Sequence, residues 1–382
     1  MSSDSHDSEA FFSVLAQLGV RGLRAYDPGH DLVALRRQFS NDFLIELGSN
    51  ENPVGPSPRA LQAAHASLAE VHRYPDPLGG DLTRALAVQH GVRPSQILLG
   101  NGSHELLMQF AQVFAGPDAD VIASRFGFAV YALAAQAAGA VLRIAEPFPC
   151  NREVQPRGHD LDAIGAQITG DTRLVYLANP NNPTGTWFAG DAFVQFMRGV
   201  PKNVIVVVDE AYAEFALADA EGYRSALDLL PQHRNLVVTR TFSKAYALAG
   251  LRVGYAIADA GLIAVMQRVR ESFNLNMPGL AAAEAALNDQ AHLDAGIAAN
   301  REQRDMLISA LRERGWIVTP SATNFLLVEF GERTPAIEKE LLVHGVVLRP
   351  MGGYGLSDCL RITVGTSGEN ARLLSALDLI AQ

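Results

Sequence analysis

The chain has 382 residues, 48% of them hydrophobic and 19% charged, with a formal net charge of −10. This is the composition of a globular protein with room for two domains, and its acidic balance disfavours nucleic acid or a membrane surface as a general partner. Two cysteines, Cys150 and Cys359, cannot build a disulfide framework and fit a reducing cytoplasm.

No apolar run approaches the roughly 20 residues of a membrane span. The opening MSSDSHDSEA is polar and acidic, so it reads as a tail and not a secretory signal. Residues 11–18 predict a short helix. Tyr26 follows among turn residues (GLRAYDPGHD, 22–31) as a packed aromatic on a linker or a contact residue. Asn50, Glu51 and Asn52 form a polar cluster before prolines, which predicts a structured loop. Ser57 predicts the N-cap of a helix over 58–72, with Pro58 at its first position. Then comes RYPDP (73–77), where a tyrosine among prolines suggests recognition and not core.

A strand over 97–99 runs into GNGSHE (100–105), which opens a helix with Leu106, Leu107, Phe110, Val113 and Phe114 on its apolar side. A glycine turn into a helix presents free backbone N–H groups to a phosphate. Glu105 stands where a dinucleotide fingerprint would need its third glycine, so that motif is excluded. A strand over 121–123 leads to SRFGF (124–128), and a strand over 174–177 leads to the turn NPNNPTG (179–185).

The run VIVVV (204–208) predicts a strand buried on both faces, with Asp209 at its end. A carboxylate there is costly unless paired. The pyridinium nitrogen of a pyridoxal ring would be such a partner; a loop or N-cap acid is the alternative. Tyr212 lies three residues on. The next strand, 236–239, leads to Thr241, Ser243 and Lys244, with Arg252 beyond an apolar stretch. A lysine amine has a free pKa of about 10.4 and becomes a nucleophile when apolar packing and a second cation lower it. Two hydroxyls and a guanidinium beside it are anion donors, and an amine next to a phosphate cradle suits pyridoxal phosphate.

Strands and helices alternate from 97 to about 257, which predicts a parallel sheet with helices on both faces. Ligands of such sheets sit at the strands' C-terminal ends, where Asn182, Asp209 and Lys244 all follow strands. Helices are predicted over 261–271, 278–288 and 292–314. A smaller α+β pattern follows, with strands over 316–318, 325–329, 346–349 and 360–364 and helices over 334–344 and 369–381. Arg349 ends one strand as an anion contact or a surface charge. Arg361 lies inside another and needs an anion or a structural ion pair if it faces inward. The arginine fork suits carboxylate or phosphate.

Together SNENPVGPSP (49–58), RYPDP, GNGSHE, NPNNPTG, VDEAYAEF (208–215), FSKAYALAGLRVGY (242–255), ATNFLL (322–327) and LRITVG (360–365) resemble the fold-type I pyridoxal-phosphate aminotransferases. Within that group they resemble the histidinol-phosphate aminotransferases, from about residue 22 to the C-terminus. The resemblance implies an α/β architecture: a large domain (47–288) with a mostly parallel sheet flanked by helices, a small α+β domain (289–382), and an N-terminal segment (1–46) packing with the small domain. It implies pyridoxal phosphate in Schiff-base linkage to Lys244, with Asp209 on the ring nitrogen and Tyr212 and Asn182 on the phenolic oxygen. The phosphate would be held by the amides of Ser103 and His104, by Thr241, Ser243 and Arg252, and by Tyr74 reaching over from a second copy. Many relatives carry an acid or amide in place of His104, which leaves backbone binding possible. Phe126 would stack on the ring, with Phe128 the competing candidate. Tyr26, Asn52, Asn324, Arg349 and Arg361 would contact substrate.

The implied protein is a cytoplasmic homodimer with shared sites, acting on a small-molecule amino donor and a keto acid, with no nucleic acid or membrane partner. The related alternatives are an aromatic amino-acid aminotransferase and a threonine-phosphate decarboxylase on the same scaffold. A non-catalytic pyridoxal-phosphate-binding regulator is a different class, and no DNA-binding segment is appended to favour it.

Overall fold

The computed structural model describes residues 3–25, 29–38 and 44–380. A short strand, β1 (Ile45–Glu46), precedes the main sheet. That sheet contains β2 (Ile97–Gly100), β3 (Asp120–Ser124), β4 (Val141–Ala145), β5 (Thr172–Ala178), β6 (Ile205–Asp209), β7 (Leu236–Thr241) and β8 (Gly254–Ala258), ordered β2-β8-β7-β6-β5-β3-β4. The pairs from β4 across to β7 are parallel. Only β8 departs from the expected parallel pattern, running against both β7 and β2. The cause is the link between β7 and β8, which holds nothing longer than the 3₁₀ turn Ala249–Leu251. Without a crossover helix the next strand must return antiparallel.

The central strands are apolar on both faces because helices cover both. Along β6, Val206 and Val208 join a cluster with Val175, Leu177, Phe193 and Val238. Val207 points the other way, into a cluster with Leu106, Phe110, Tyr131, Tyr176 and Val237. This period-two alternation carries on to the acids that end the strand.

Local signals set several boundaries. The Ser57 side chain accepts from the backbone N–H groups of Arg59 and Ala60, so the helix Pro58–Ser67 starts where a capping residue and a first-position proline put it. It stops earlier than expected, tightening into the 3₁₀ turn Leu68–Glu70 before the chain reaches Tyr74-Pro75. A helix the sequence did not announce, Gly80–His90, follows directly on Gly79. Gly79 is left-handed (φ 55°), and a Cβ there would sit 2.5 Å from Leu99 Cδ1, so it packs a chain reversal against β2. The helix expected over 261–271 is shorter, Ala260–Met266.

The long helix Gln290–Glu313 leads into the C-terminal elements β9 (Ile317–Val318), β10 (Phe325–Glu329), β11 (Val346–Val347), β12 (Arg349–Pro350) and β13 (Cys359–Thr363). Four of them form an antiparallel sheet ordered β12-β13-β10-β9. The single strand expected over 346–349 is divided. Its first half, β11, pairs in parallel with β1, and its second half pairs with β13. Pro350, lacking an N–H, sits on the edge strand that tolerates it. Ile45 and Leu47 share an apolar cluster with Leu307, Leu326, Leu360 and Leu373.

Candidate active site

Three neighbouring strands, β5, β6 and β7, deliver the expected residues to one cavity of about 250 Å³ at their C-terminal ends. Its walls include Ser103, His104, Phe128, Tyr131, Asn182, Asp209, Tyr212, Thr241, Ser243, Lys244, Arg252 and Arg361. The turn carrying Asn182 has cis peptide bonds at Asn179-Pro180 and Asn182-Pro183.

Lys244 follows β7, and its Nζ donates to the carbonyls of Asn50 (3.1 Å) and Ser49 (3.4 Å). Burial, reinforced by the cations Arg361 and Arg252, lowers its pKa from 10.5 to about 8. Asp209 ends β6. Its Oδ1 accepts from Thr239 Oγ1 (3.1 Å) and its Oδ2 from Tyr131 Oη (3.2 Å). Burial raises its pKa to about 6, while those two hydroxyls and the Ala211 amide pull the other way. The site therefore holds an amine eased toward its neutral form and a carboxyl poised near neutrality, which is the pattern of an acid–base site.

At another edge the helix Ser103–Phe114 begins without a side-chain cap. Its first residues, Ser103 and His104, line the cavity together with Thr241, Ser243 and Arg252. Thr241 Oγ1 donates to Ser243 Oγ (3.0 Å), and Arg252 Nη1 approaches the same oxygen (3.4 Å). Two glycines allow this assembly to close. A Cβ on Gly254 would lie 2.4 Å from Ser103 N, and one on Gly102 (φ 79°) would lie 2.6 Å from Arg252 Nη2. A helix N-terminus, two hydroxyls and a guanidinium make a phosphate cradle. His104 also lines it, and its pKa is lowered by burial and by Arg252.

Opposite, Tyr212 Oη accepts from Asn50 Nδ2 (2.9 Å). Arg361 Nη1 donates to Asn182 Oδ1 and Nη2 to the Gly48 carbonyl, both at 2.6 Å. Arg361 thus reaches the cavity from β13, and Asn182 is tied to it and not to Tyr212. The donor sets fit the pyridoxal phosphate implied by the resemblance: an amine, an acid for a ring nitrogen, a phosphate cradle and polar groups for a ring oxygen.

Other expected residues lie elsewhere. Phe126 packs beside Leu327, Met351 and Leu356, and its carbonyl accepts from Asn181 Nδ2 (2.8 Å). Phe128, the competing candidate, is the phenylalanine on the cavity wall. Asn52 Nδ2 donates to the Ala245 carbonyl (3.0 Å), bracing the chain after Lys244. Asn324 Nδ2 donates to the carbonyls of Asn50 and Glu51 (3.1 Å each) and so supports the loop that receives Lys244. Arg349 lines an adjoining cavity of about 530 Å³ with Arg24, Arg125 and Tyr354, which shares Phe128 and Tyr131 with the first. Tyr74 is 80% exposed, stacked on Phe273 at 4.6 Å. Tyr26 lies outside the described residues.

Sequence reasoning missed the carbonyls of Ser49 and Asn50, which accept from Lys244, and it missed Tyr131 and Thr239, which hold Asp209. The signals were faint: Tyr131 stands one helical turn after Phe128, and Thr239 lies two residues before Thr241 on the same face of a strand. A larger cavity of about 690 Å³, walled by Phe148, Trp187 and Phe196 among others, gathers no comparable set of lysine, acid and anion donors.

Residues 43–377 match the family described as aminotransferase class I and II. The chain is 43% identical to histidinol-phosphate aminotransferase 2 of Methylococcus capsulatus over 96% of its own length and 98% of the relative's. It is 44% identical to histidinol-phosphate aminotransferase 2 of Pseudomonas aeruginosa, covering 96% of this chain and 97% of that one. The crystal structure of histidinol-phosphate aminotransferase from Sinorhizobium meliloti in complex with pyridoxal-5'-phosphate superposes with a TM-score of 0.86 at 30% identity, covering 96% and 97% of the two chains. No helix of the described residues is long and apolar enough to cross a membrane. With the motifs, the fold and the lysine–aspartate cavity in agreement, the chain belongs to the aminotransferase class I and II family.

Proposed function

We propose that the protein is a pyridoxal-phosphate-dependent aminotransferase that takes the amino group of L-histidinol phosphate and passes it to 2-oxoglutarate, giving imidazole acetol phosphate and L-glutamate. The observation that carries the reaction class is the pairing of Lys244 and Asp209 in one cavity beside a phosphate cradle. The donor is supported by the near full-length likeness to relatives named histidinol-phosphate aminotransferase.

Pyridoxal phosphate, when bound, supplies the electron sink for the substrate carbon that loses its proton. The chain's residues do the rest. Lys244 anchors the cofactor, and its amine, once displaced, moves the proton to and from the reacting carbon. Its lowered pKa leaves a useful neutral fraction near pH 7–8. Asp209 keeps a proton on the ring nitrogen. At about 4 Å and an effective dielectric of 20, such a pair has a gross attraction of about 4 kcal/mol. Tyr212 and Asn182 address the ring oxygen, Phe128 covers a ring face, and the Ser103 and His104 amides with Thr241, Ser243 and Arg252 orient the phosphate. Arg361 receives a substrate carboxylate, and Arg349, in the adjoining cavity, a substrate phosphate.

The working unit in this reading is a cytoplasmic homodimer. Tyr74 and Phe273 form an exposed aromatic stack, with Leu68, Val71 and Leu78 also exposed nearby in the chain. A second copy covering them would carry Tyr74 to its neighbour's phosphate cradle.

The test is a titration of the loaded protein's visible absorbance, without keto acid, using histidinol phosphate, phenylalanine and threonine phosphate separately. Bleaching at much the lowest concentration of histidinol phosphate is expected. Bleaching mainly by phenylalanine would keep the chemistry and replace the donor, and carbon dioxide release from threonine phosphate would replace the reaction.

A further inference from the structure

Asp209 has a second neighbour that the reaction scheme above does not use. The helix Ala129–Ala137 begins at Phe128, whose ring lines the cavity and whose carbonyl accepts from Tyr131 N–H at 2.9 Å. Tyr131 is therefore one turn along, and its ring meets Phe128 edge-on, with centroids 5.9 Å apart and planes at 90°. Its hydroxyl donates to Asp209 Oδ2. Its other side stacks on Tyr176 at 4.9 Å and 4° between planes, and Tyr176 in turn donates to the Leu107 carbonyl at 2.6 Å. Packing on both sides leaves the Tyr131 ring little freedom to turn its hydroxyl elsewhere. The helix N-terminus is also held from the C-terminal part of the chain, because Ala129 N–H donates to Tyr354 Oη at 3.3 Å.

We propose that Tyr131 is a positioning residue: it fixes the Asp209 carboxylate relative to the ring wall Phe128, because both side chains are set on one helical turn. A shift of that turn moves the wall and the acid's hydrogen-bond donor together, so the ring face and the ring nitrogen stay in register. The proposal rests on the reading of Asp209 as the acid opposite the ring nitrogen.

The donated hydrogen bond favours the ionised carboxylate, so its loss favours the protonated form. The other charged and titratable groups around Asp209 are known. Glu210 follows it on its own strand and opposes its ionisation. Tyr176 lies on β5. Tyr212 three residues on, Lys244 after β7, His104 on the Ser103–Phe114 helix, Arg252 before β8 and Arg361 on β13 share its cavity. A change confined to Tyr131 leaves all of these in place.

The experiment uses Tyr131→Phe, which keeps the ring and removes one oxygen. The Asp209 carboxyl is titrated by isotope-edited infrared spectroscopy in the cofactor-free protein, with Asp209→Asn identifying the band. Its midpoint is expected to rise by about one pH unit, a tenfold gain in proton affinity. In the loaded enzyme the acidic limb of kcat should move upward by a similar amount, with KM for the amino donor within about twofold. Tyr176→Phe keeps the stack and loses the bond to Leu107, so it should move neither. An unmoved carboxyl midpoint in Tyr131→Phe, or an equal shift in Tyr176→Phe, overturns the proposal. If the midpoint moves while Asp209→Asn retains full turnover, the positioning stands and the ring-acid reading fails instead.

Discussion

Two neighbouring acids at the end of β6 live in opposite electrostatic settings. Glu210 is fully buried and fully answered: it accepts from Arg240 Nη2 (2.7 Å) and Nε (3.1 Å), from Ser225 Oγ and from the Ala226 amide (2.6 Å). Glu214 extends this cluster, 3.7 Å from Arg240. Among the described residues Asp209, one residue earlier, has only hydroxyl donors from side chains, and Lys244 in the same cavity donates to backbone carbonyls instead of to an acid. The Glu210–Arg240 ion pair holds β6 to β7. Asp209 and Lys244 line one cavity, and among the described residues neither has a salt-bridge partner. The difference separates charge that serves the fold from charge reserved for a ligand.

The strongest way to break this contrast is Lys244→Ala. Turnover should fall by about 10⁴-fold or more while the circular dichroism spectrum stays that of the parent. Near-normal turnover would remove Lys244 from the chemistry. Asp209→Asn comes next, with a loss of about 10³-fold in kcat at unchanged fold. A loss below tenfold would return Asp209 to the structural class beside Glu210. Arg240→Met should do the reverse. It strands two buried acids, so urea unfolding of the cofactor-free protein should reveal a loss of about 3–5 kcal/mol. The surviving folded enzyme should keep most of its turnover.

The smallest effect sharpens the contrast through pH. In the cofactor-free fold Lys244 has a pKa of about 8 against 10.5 in the reference state, so the unfolded chain binds more protons between those values. The cost of this buried charge is full below about pH 8 and disappears as pH rises to 10.5. Cofactor-free Lys244→Met should therefore melt about 2 °C above cofactor-free parent at pH 7, with the difference shrinking toward pH 10. A lower melting temperature in the variant at pH 7 would mean that the amine is well solvated and its burial carries no cost.

Legibility followed the range of the interactions. Lys244, Thr241, Ser243, Asp209 and Asn182 could be read because each belongs to a short motif that ends a recognisable strand. Arg252 and Gly254 could be read as parts of the same stretch. Asn50 could be read as part of a structured polar loop but its role could not, since that depends on a left-handed loop residue (φ 55°) presenting a carbonyl to a lysine far along the chain. The choice between Phe126 and Phe128 turned on where the next helix starts. The helix begins after Phe128, and that phase is not written in SRFGF. The direction of β8 was hidden for another reason: the strand pattern shows its existence, while its orientation is set by the length of its connection. The helix Gly80–His90 was masked by two glycines that read as loop and serve as its start.

The alternation along β6 also constrains how the gene can vary. Substitutions among Val206, Val207 and Val208 alter packing but leave the two acids on their own sides. Deleting or inserting one residue before Asp209 would turn each acid toward the other's surroundings, giving Arg240 the wrong partner and the cavity an acid at the wrong depth. Such a frame slip cannot be repaired by a single amino-acid exchange, since both settings fail together. Length changes in this lineage should therefore be absent from residues 204–210 and tolerated in exposed connections such as 150–154. A deep insertion-and-deletion scan of the gene would map that boundary directly.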